Sequence, residues 1–180
     1  MVYDTYCRKE KGKRLTYKFD PKTNKIYLDL DQTLADFDYS AIKIFGMHPE
    51  EYEKIYGSEK FWEAINSDPN FFINLRPLDD MRELYDAVVH LKPTILTGIP
   101  RNMDAYENQK HMWCEKHFGK EQKVICCRAS KKSQFCLPND IIVDDRKKYK
   151  KLWEKAGGIF VIHKNAKDSL DKLAKLGVLN

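Results

Sequence analysis

Two carboxylates one residue apart, Asp29 and Asp31, close the alternating apolar run Ile26-Tyr-Leu28-Asp-Leu30. Such alternation predicts a strand, and residues two apart on a strand point to the same side. The pair therefore crowds two like charges at a strand's carboxyl end, where poor solvation makes repulsion costly. A chain keeps that arrangement when a cation lies between the acids or when the pair does chemistry. A solvated turn after an edge strand would account for Asp-x-Asp, but not for the apolar lead-in or for Thr33 and the apolar residues after it.

The rest of the chain alternates strand and helix signals. Strands are expected at about 25–30, 94–97, 123–127, 141–143 and 159–162. Between the first two come helical pieces at about 38–45, 49–56 and 58–65, with Pro49 suited to a first helical position. Asp80-Met-Arg-Glu83 reads as a capping box opening a helix to about His90. Longer helices are expected at about 103–118, stopped by Gly119, and at about 165–176. This order implies an α/β fold with a mostly parallel sheet covered on both faces. In such sheets ligands bind beyond the strands' carboxyl ends, where Asp29, Asp31, Thr97, Asp144 and Asp145 all fall. Residues 34–76 read as a small helical insertion after strand one. Thr16-Tyr-Lys-Phe19 and Lys25-Ile-Tyr27 suggest a hairpin turned at Asp20-Pro-Lys-Thr-Asn24.

Composition sets outer limits. The 180 residues, 42% hydrophobic and 12% aromatic, suit one domain with a proper core. No apolar run approaches the roughly 18 residues of a membrane span, and no signal peptide is expected from the opening Met1-Val-Tyr-Asp. Five cysteines without a Cys-x-x-Cys pair read as reduced thiols, so a cytoplasmic or nuclear setting is expected. The histidines show no zinc spacing, and His111 and His117 read as helix-surface or packing residues. The net charge of +5 resides in residues 1–25, which hold eight basic residues and three acids. This arm and the cluster Arg146-Lys-Lys-Tyr-Lys-Lys151 are candidate contacts for phosphate-rich partners such as nucleic acid; a solvated face is the plainer reading.

Asp29-Leu-Asp31-Gln-Thr33-Leu resembles the first motif of the haloacid dehalogenase superfamily of phosphotransferases. Most members carry Gly at the position of Gln32, and phosphatases acting on protein C-terminal domains often carry a larger polar residue. The superfamily's other motifs follow in order: Pro93-Thr-Ile-Leu-Thr97-Gly98, a Lys at 131 or 132, and Asp140-Ile-Ile-Val-Asp144-Asp145. The resemblance implies a Rossmann-like sheet of about five strands sandwiched by helices, a cap at about 34–76, and residues 26–180 as the phosphatase domain behind a basic arm. It implies Asp29 as nucleophile, forming an aspartyl-phosphate, and Asp31 as general acid and then base. Thr97 and Lys132 would meet the phosphate. Magnesium would be held by Asp29, the Asp31 backbone carbonyl and Asp145, with Asp144 in support.

Within the superfamily the chain is similar to the 5′(3′)-deoxyribonucleotidases, which hydrolyse nucleoside monophosphates. The likeness rests on Asp36-Phe37, on Phe61-Trp62, on Asn70-Phe-Phe72 before Leu75-x-Pro77-Leu78, and on Lys110-His-Met-Trp113-Cys-Glu-Lys116-His-Phe118-Gly119. It implies that Lys110 also reaches the phosphate and that Phe37, Phe61, Trp62 and Phe72 form an aromatic wall for a base. Gly98 stands where those enzymes usually have Ser. The alternatives are a phosphatase for a phosphoprotein or a nucleic-acid end, which Gln32 and the basic arm favour, and a non-catalytic binding module on the same fold.

Overall fold

The computed structural model describes residues 8–10, 13–15, 19–100 and 104–179. Five parallel strands form one sheet: β3 (Ile26–Leu28), β4 (Thr94–Gly98), β5 (Val124–Cys127), β6 (Ile141–Asp144) and β7 (Ile159–Ile162), in the order β5-β4-β3-β6-β7. The period-two alternation of the strands divides the core between the faces. Ile26, Leu28, Ile95, Ile141, Val143 and Val161 pack on one side. Tyr27, Leu96, Ile142 and Phe160 pack on the other, around a buried Trp153. Every strand except the edge ones buries both faces, which is why β3, β4 and β6 read as almost unbroken apolar runs.

Before the sheet, β1 (Arg8–Glu10) and β2 (Lys13–Leu15) pair with each other as a small antiparallel ribbon. Most of the first arm of the expected hairpin between Thr16–Phe19 and Lys25–Tyr27 falls on residues that are not described. Thr16, Tyr17 and Lys18 lie outside the described residues, and β3 has both edges taken, by β4 and β6. Contacts with the packed core extend ahead of β3. Phe19 is buried in the main core, Asp20–Asn24 forms a turn closed by Asn24 N–H donating to the Asp20 carbonyl (2.7 Å), and Lys25 N–H donates to Asp140 Oδ1 (2.8 Å).

The insertion after β3 is a closed excursion. Its two ends are joined where Ala35 bridges to Pro77, Asp36 N–H donates to the Arg76 carbonyl and Leu78 N–H to the Leu34 carbonyl, both at 2.9 Å. Arg76 and Asp36 add an ion pair at 2.5 Å. Inside lie α1 (Phe37–Phe45) and α2 (Pro49–Asn66). α2 is the two predicted helical pieces in one, broken at Gly57, whose φ of 83° and ψ of 165° leave the helical region and favour a residue without Cβ. α4 (Asp104–Phe118) holds the excursion to the sheet. Gln109 on α4 accepts from the backbones of Phe72 and Ile73 and donates to the Pro69 carbonyl, and the buried Trp113 donates to the Leu75 carbonyl (2.7 Å).

α3 (Met81–Val88), α5 (Lys150–Lys155) and α6 (Ala166–Lys175) complete the layers. The predicted capping box at Asp80 is absent. Asp80 makes no side-chain bond to its own helix; its carboxylate accepts instead from Ala166 N–H at 2.6 Å, at the start of α6. Tertiary packing of α3 on α6 thus redirected a local cap to a distant helix with the same unsatisfied N–H groups.

Candidate active site

β3 ends at Leu28, and the next residue, Asp29, is 4% exposed at the mouth of the sheet. Its backbone is still held by the neighbouring strand, with Asp29 N–H donating to the Val143 carbonyl (2.9 Å). Its Oδ1 accepts from Leu30 N–H (2.8 Å) and from Lys132 Nζ (2.7 Å). Lys132 sits on a short 3-10 turn, Ala129–Phe135, and its ammonium also bonds Asp144 Oδ2 (2.7 Å). Burial works against that charge, but Asp29 and Asp144 outweigh it and hold Lys132 protonated. Lys131 is exposed and takes no part, so the choice left open between the two lysines falls to Lys132.

Asp31 lies opposite. Its Oδ2 accepts from Lys110 Nζ (2.5 Å), and its Oδ1 is buried without a partner. Burial pushes its carboxyl above the usual range, and Asp29 adds to this; Lys110 opposes it without prevailing. Lys110 and Thr97 are both fully buried, with Nζ donating to Thr97 Oγ1 at 3.0 Å. The two were expected to touch phosphate. Here the Lys110 ammonium rests on Asp31 and Thr97, the anion and acceptor nearest to it.

Gln32 adopts a φ of 54°, a region that favours glycine and costs another residue roughly 1 kcal/mol. Its amide offsets this by donating to Asp38 Oδ2 (2.9 Å) while its oxygen accepts from Asp38 N–H (3.2 Å), at the first turn of α1. The residue that departs from the common motif thus ties the turn carrying Asp31 to the insertion.

The acid pair after β6 is asymmetric. Asp144 has both oxygens engaged, Oδ2 by Lys132 and Oδ1 by Arg146 N–H (2.8 Å). Asp145 Oδ1 is buried without a partner. Burial, then Asp29, then Asp144 push the Asp145 carboxyl up to about 8. Oxygen atoms of Asp29, Asp144 and Asp145 lie within 4.8 Å of one another. Fully ionised, the four carboxyl groups would leave the centre two negative against its two ammoniums, and burial resists that charge at Asp31 and Asp145 until a cation joins them. An all-oxygen donor set, a free buried oxygen and a deficit of two charges fit a hard divalent cation.

Above this centre opens a cavity of about 730 Å³. On the side of the insertion it is lined by Phe37, Phe61, Trp62 and His48. Phe37 and Phe61 lie nearly parallel, with ring centroids 6.3 Å apart, and Trp62 meets Phe61 edge-on at 5.1 Å. Phe72 is not part of this wall. It is 1% exposed, packed against Tyr106 (4.6 Å) with the Lys110 ammonium 4.5 Å from its ring centre. Its neighbour Phe71 is equally buried, so the Phe-Phe pair anchors the insertion from beneath. The opposite wall carries Gly98, Ala129, Ser130 and the cations Arg128, Arg146, Lys147 and Lys148. A Cβ on Gly98 would stand 3.1 Å from that of Ala129, so the site's third-motif turn packs directly on this glycine. The Arg146 cluster was legible in sequence as a basic run; Asp38, His48 and Arg128 carried no signal that would have found them.

Residues 23–168 match the family described as 5′ nucleotidase, deoxy (pyrimidine), cytosolic type C protein. No curated protein matches the chain. Among solved structures, a hydrolase from Streptococcus pneumoniae TIGR4 aligns with a TM-score of 0.51 at 14% identity, over 89% of this chain and 100% of its own. A haloacid dehalogenase family hydrolase from Deinococcus radiodurans R1, solved with bound phosphate and sodium, aligns with a TM-score of 0.50 at 10% identity, over 89% and 99%. At these identities the two structures speak for the fold.

Proposed function

Because the chain belongs to the 5′ nucleotidase, deoxy (pyrimidine), cytosolic type C family and is therefore a phosphatase, we propose that it hydrolyses nucleoside monophosphates through a phosphorylated Asp29, with magnesium as its metal. The observation that carries this reading is a cavity in which the buried carboxylate centre and the pair Phe37 and Trp62 face the same space. A phosphate on the acids leaves the rest of a nucleotide to reach the rings, and aromatic faces take up flat bases.

In this reading an Asp29 oxygen attacks phosphorus while the bond from phosphorus to the ester oxygen breaks, and Asp31 delivers its proton to that leaving oxygen. The raised affinity of Asp31 for its proton suits the donor role. Asp31, now a carboxylate, takes a proton from the water that attacks the aspartyl-phosphate, which frees inorganic phosphate and restores Asp29. Lys132 holds Asp29 in line and offsets its charge, while Lys110 and Thr97 position Asp31 from behind. Asp29, Asp145 and the backbone carbonyl of Asp31 would hold Mg²⁺, with Asp144 keeping Lys132 and the Arg146 N–H in place. When bound, the metal supplies charge neutralisation at the phosphate oxygens. A cytoplasmic setting accords with the family's description and with the free thiols of Cys114, Cys126, Cys127 and Cys136; among the described residues no helix is long and apolar enough to cross a membrane.

One observation favours a second reading, a phosphorylated nucleic-acid end. Arg128, Arg146, Lys147 and Lys148 line the cavity, and none of them forms an ion pair among the described residues. Gln32, by contrast, no longer argues for a protein substrate, since its amide is committed to Asp38. A panel of nucleoside monophosphates, phosphorylated oligonucleotides and phosphopeptides, run with Mg²⁺ on wild type and Asp29→Asn, separates these readings. Nucleotides should be turned over best, and Asp29→Asn should be inactive on all. A fluoride-based phosphate mimic trapped on a residue other than Asp29 would overturn the mechanism, and oligonucleotides preferred over mononucleotides would overturn the substrate.

A further inference from the structure

At the free edge of the sheet, three donor groups with no part in the crevice come together. α4 presents Glu107 and His111 one turn apart on one helix face, with His111 Nε2 3.8 Å from Glu107 Oε1. Cys126 stands on the edge strand β5. The carboxylate, imidazole and sulfur atoms all lie within 4.8 Å of one another. Cys126 is a free thiol, half-buried like Glu107, while His111 is exposed. Alternation along β5 sends the adjacent Cys127 to the other face, where it packs against the cluster of Tyr27, Leu96 and Trp153.

We propose that Glu107, His111 and Cys126 form a second metal site, for one zinc-class transition ion. Imidazole and thiolate are ligands of borderline and soft ions, whereas the crevice offers only oxygen. A tetrahedral ion with bonds of roughly 2.0–2.3 Å sets its donors about 3.3–3.8 Å apart. The present separations close to that by side-chain rotation of Glu107 and His111, the two ligands nearest solvent. On binding, the Cys126 thiol gives its proton to water and the sulfur bonds the ion; water takes the fourth position. The ion then fastens α4 to β5 beside the active centre. Cys126 is the register partner of Thr97, and Lys110, which bonds both Thr97 and Asp31, lies between the two helical ligands.

The test is titration of the full-length protein with Co²⁺ and then Zn²⁺, in excess Mg²⁺ so that the crevice is occupied. One equivalent of Co²⁺ should produce a near-ultraviolet thiolate-to-cobalt charge-transfer band, which Zn²⁺ should abolish. Cys126→Ser should lose the band and Cys127→Ser should keep it. His111→Ala and Glu107→Gln should each weaken binding by at least the roughly 10- to 100-fold that even supporting residues of metal sites cost. Both are substitutions at or near the surface, so they decide the matter if Cys126→Ser does not fold. No thiolate band in the wild type, a band that survives Cys126→Ser, or affinity unchanged in His111→Ala would overturn the site and leave Glu107 and His111 an ordinary surface pair.

Discussion

Asp145→Asn should make the metal-free protein more stable, although it removes a group from the active site. The half-buried Asp145 carboxyl is pushed up from the usual 3.8 to about 8, by burial first and then by Asp29 and Asp144. Its charge is therefore disfavoured in the folded state. The penalty is absent below pH 3.8, grows as the unfolded chain ionises, and is complete only above about pH 8. Between 3.8 and pH 7 lie about three pH units at roughly 1.4 kcal/mol each, a ceiling of about 4 kcal/mol. Asp145 retains some solvent contact and its two acidic neighbours relax with it, so about 1–3 kcal/mol is the expected gain on screening grounds. For a chain of this length that raises the melting temperature by roughly 3–10 °C. The amide that replaces the carboxylate also brings a donor to face Asp29 and Asp144. The assay is thermal melting in excess chelator from pH 4 to 8. The variant and wild type should coincide at pH 4 and diverge steadily towards pH 8. Added Mg²⁺ should then raise the wild type much more than the variant. An Asp145→Asn variant that melts below wild type at pH 8 in chelator would refute the reasoning, as would a difference independent of pH.

Trp62→Ala and Phe61→Ala should lower efficiency on a nucleoside monophosphate by roughly 5- to 150-fold, the worth of one stacking partner at about 1–3 kcal/mol, with little change on a minimal phosphate ester. Phe72→Ala, buried under Lys110, should instead impair both substrates alike and lower the melting temperature, and a selective loss on the nucleotide would return it to the wall. Asp80→Ala removes the acceptor for Ala166 N–H and should cost about 1 kcal/mol, read as a lower melting temperature at unchanged turnover. Gly98→Ser should displace the turn bearing Lys132, because its Cβ would stand 3.1 Å from that of Ala129; overpacking of this kind costs about 1–3 kcal/mol. Adding Ala129→Gly should recover most of the loss in a double-mutant cycle, and additive effects would show that the contact is not the cause.

The strand after which Asp29 and Asp31 stand and the parallel character of the sheet were legible in the sequence, because period-two burial and short-range spacing are local properties. Even Gly57 announced itself as the gap between two helical signals. What the sequence left open required knowing which surfaces meet. It preferred Lys132 to its neighbour Lys131 only by family likeness, whereas the turn at Ala129–Phe135 aims Lys132 at Asp29 and Asp144. It ranked Asp145 above Asp144 by family likeness alone; the structure adds that Asp144 has both oxygens engaged while Asp145 has one left over. It placed Phe72 in a wall, since an aromatic near a site reads the same whether it lines the cavity or lies beneath it. It assigned Asp80 to its own helix, and it found no partner for His111 because Cys126 arrives on another element. Local pattern determines which segments can pair and which ends bear charge. Depth, and the identity of a polar group's partner, depend on contacts between distant segments, and only the packed tertiary structure decides those.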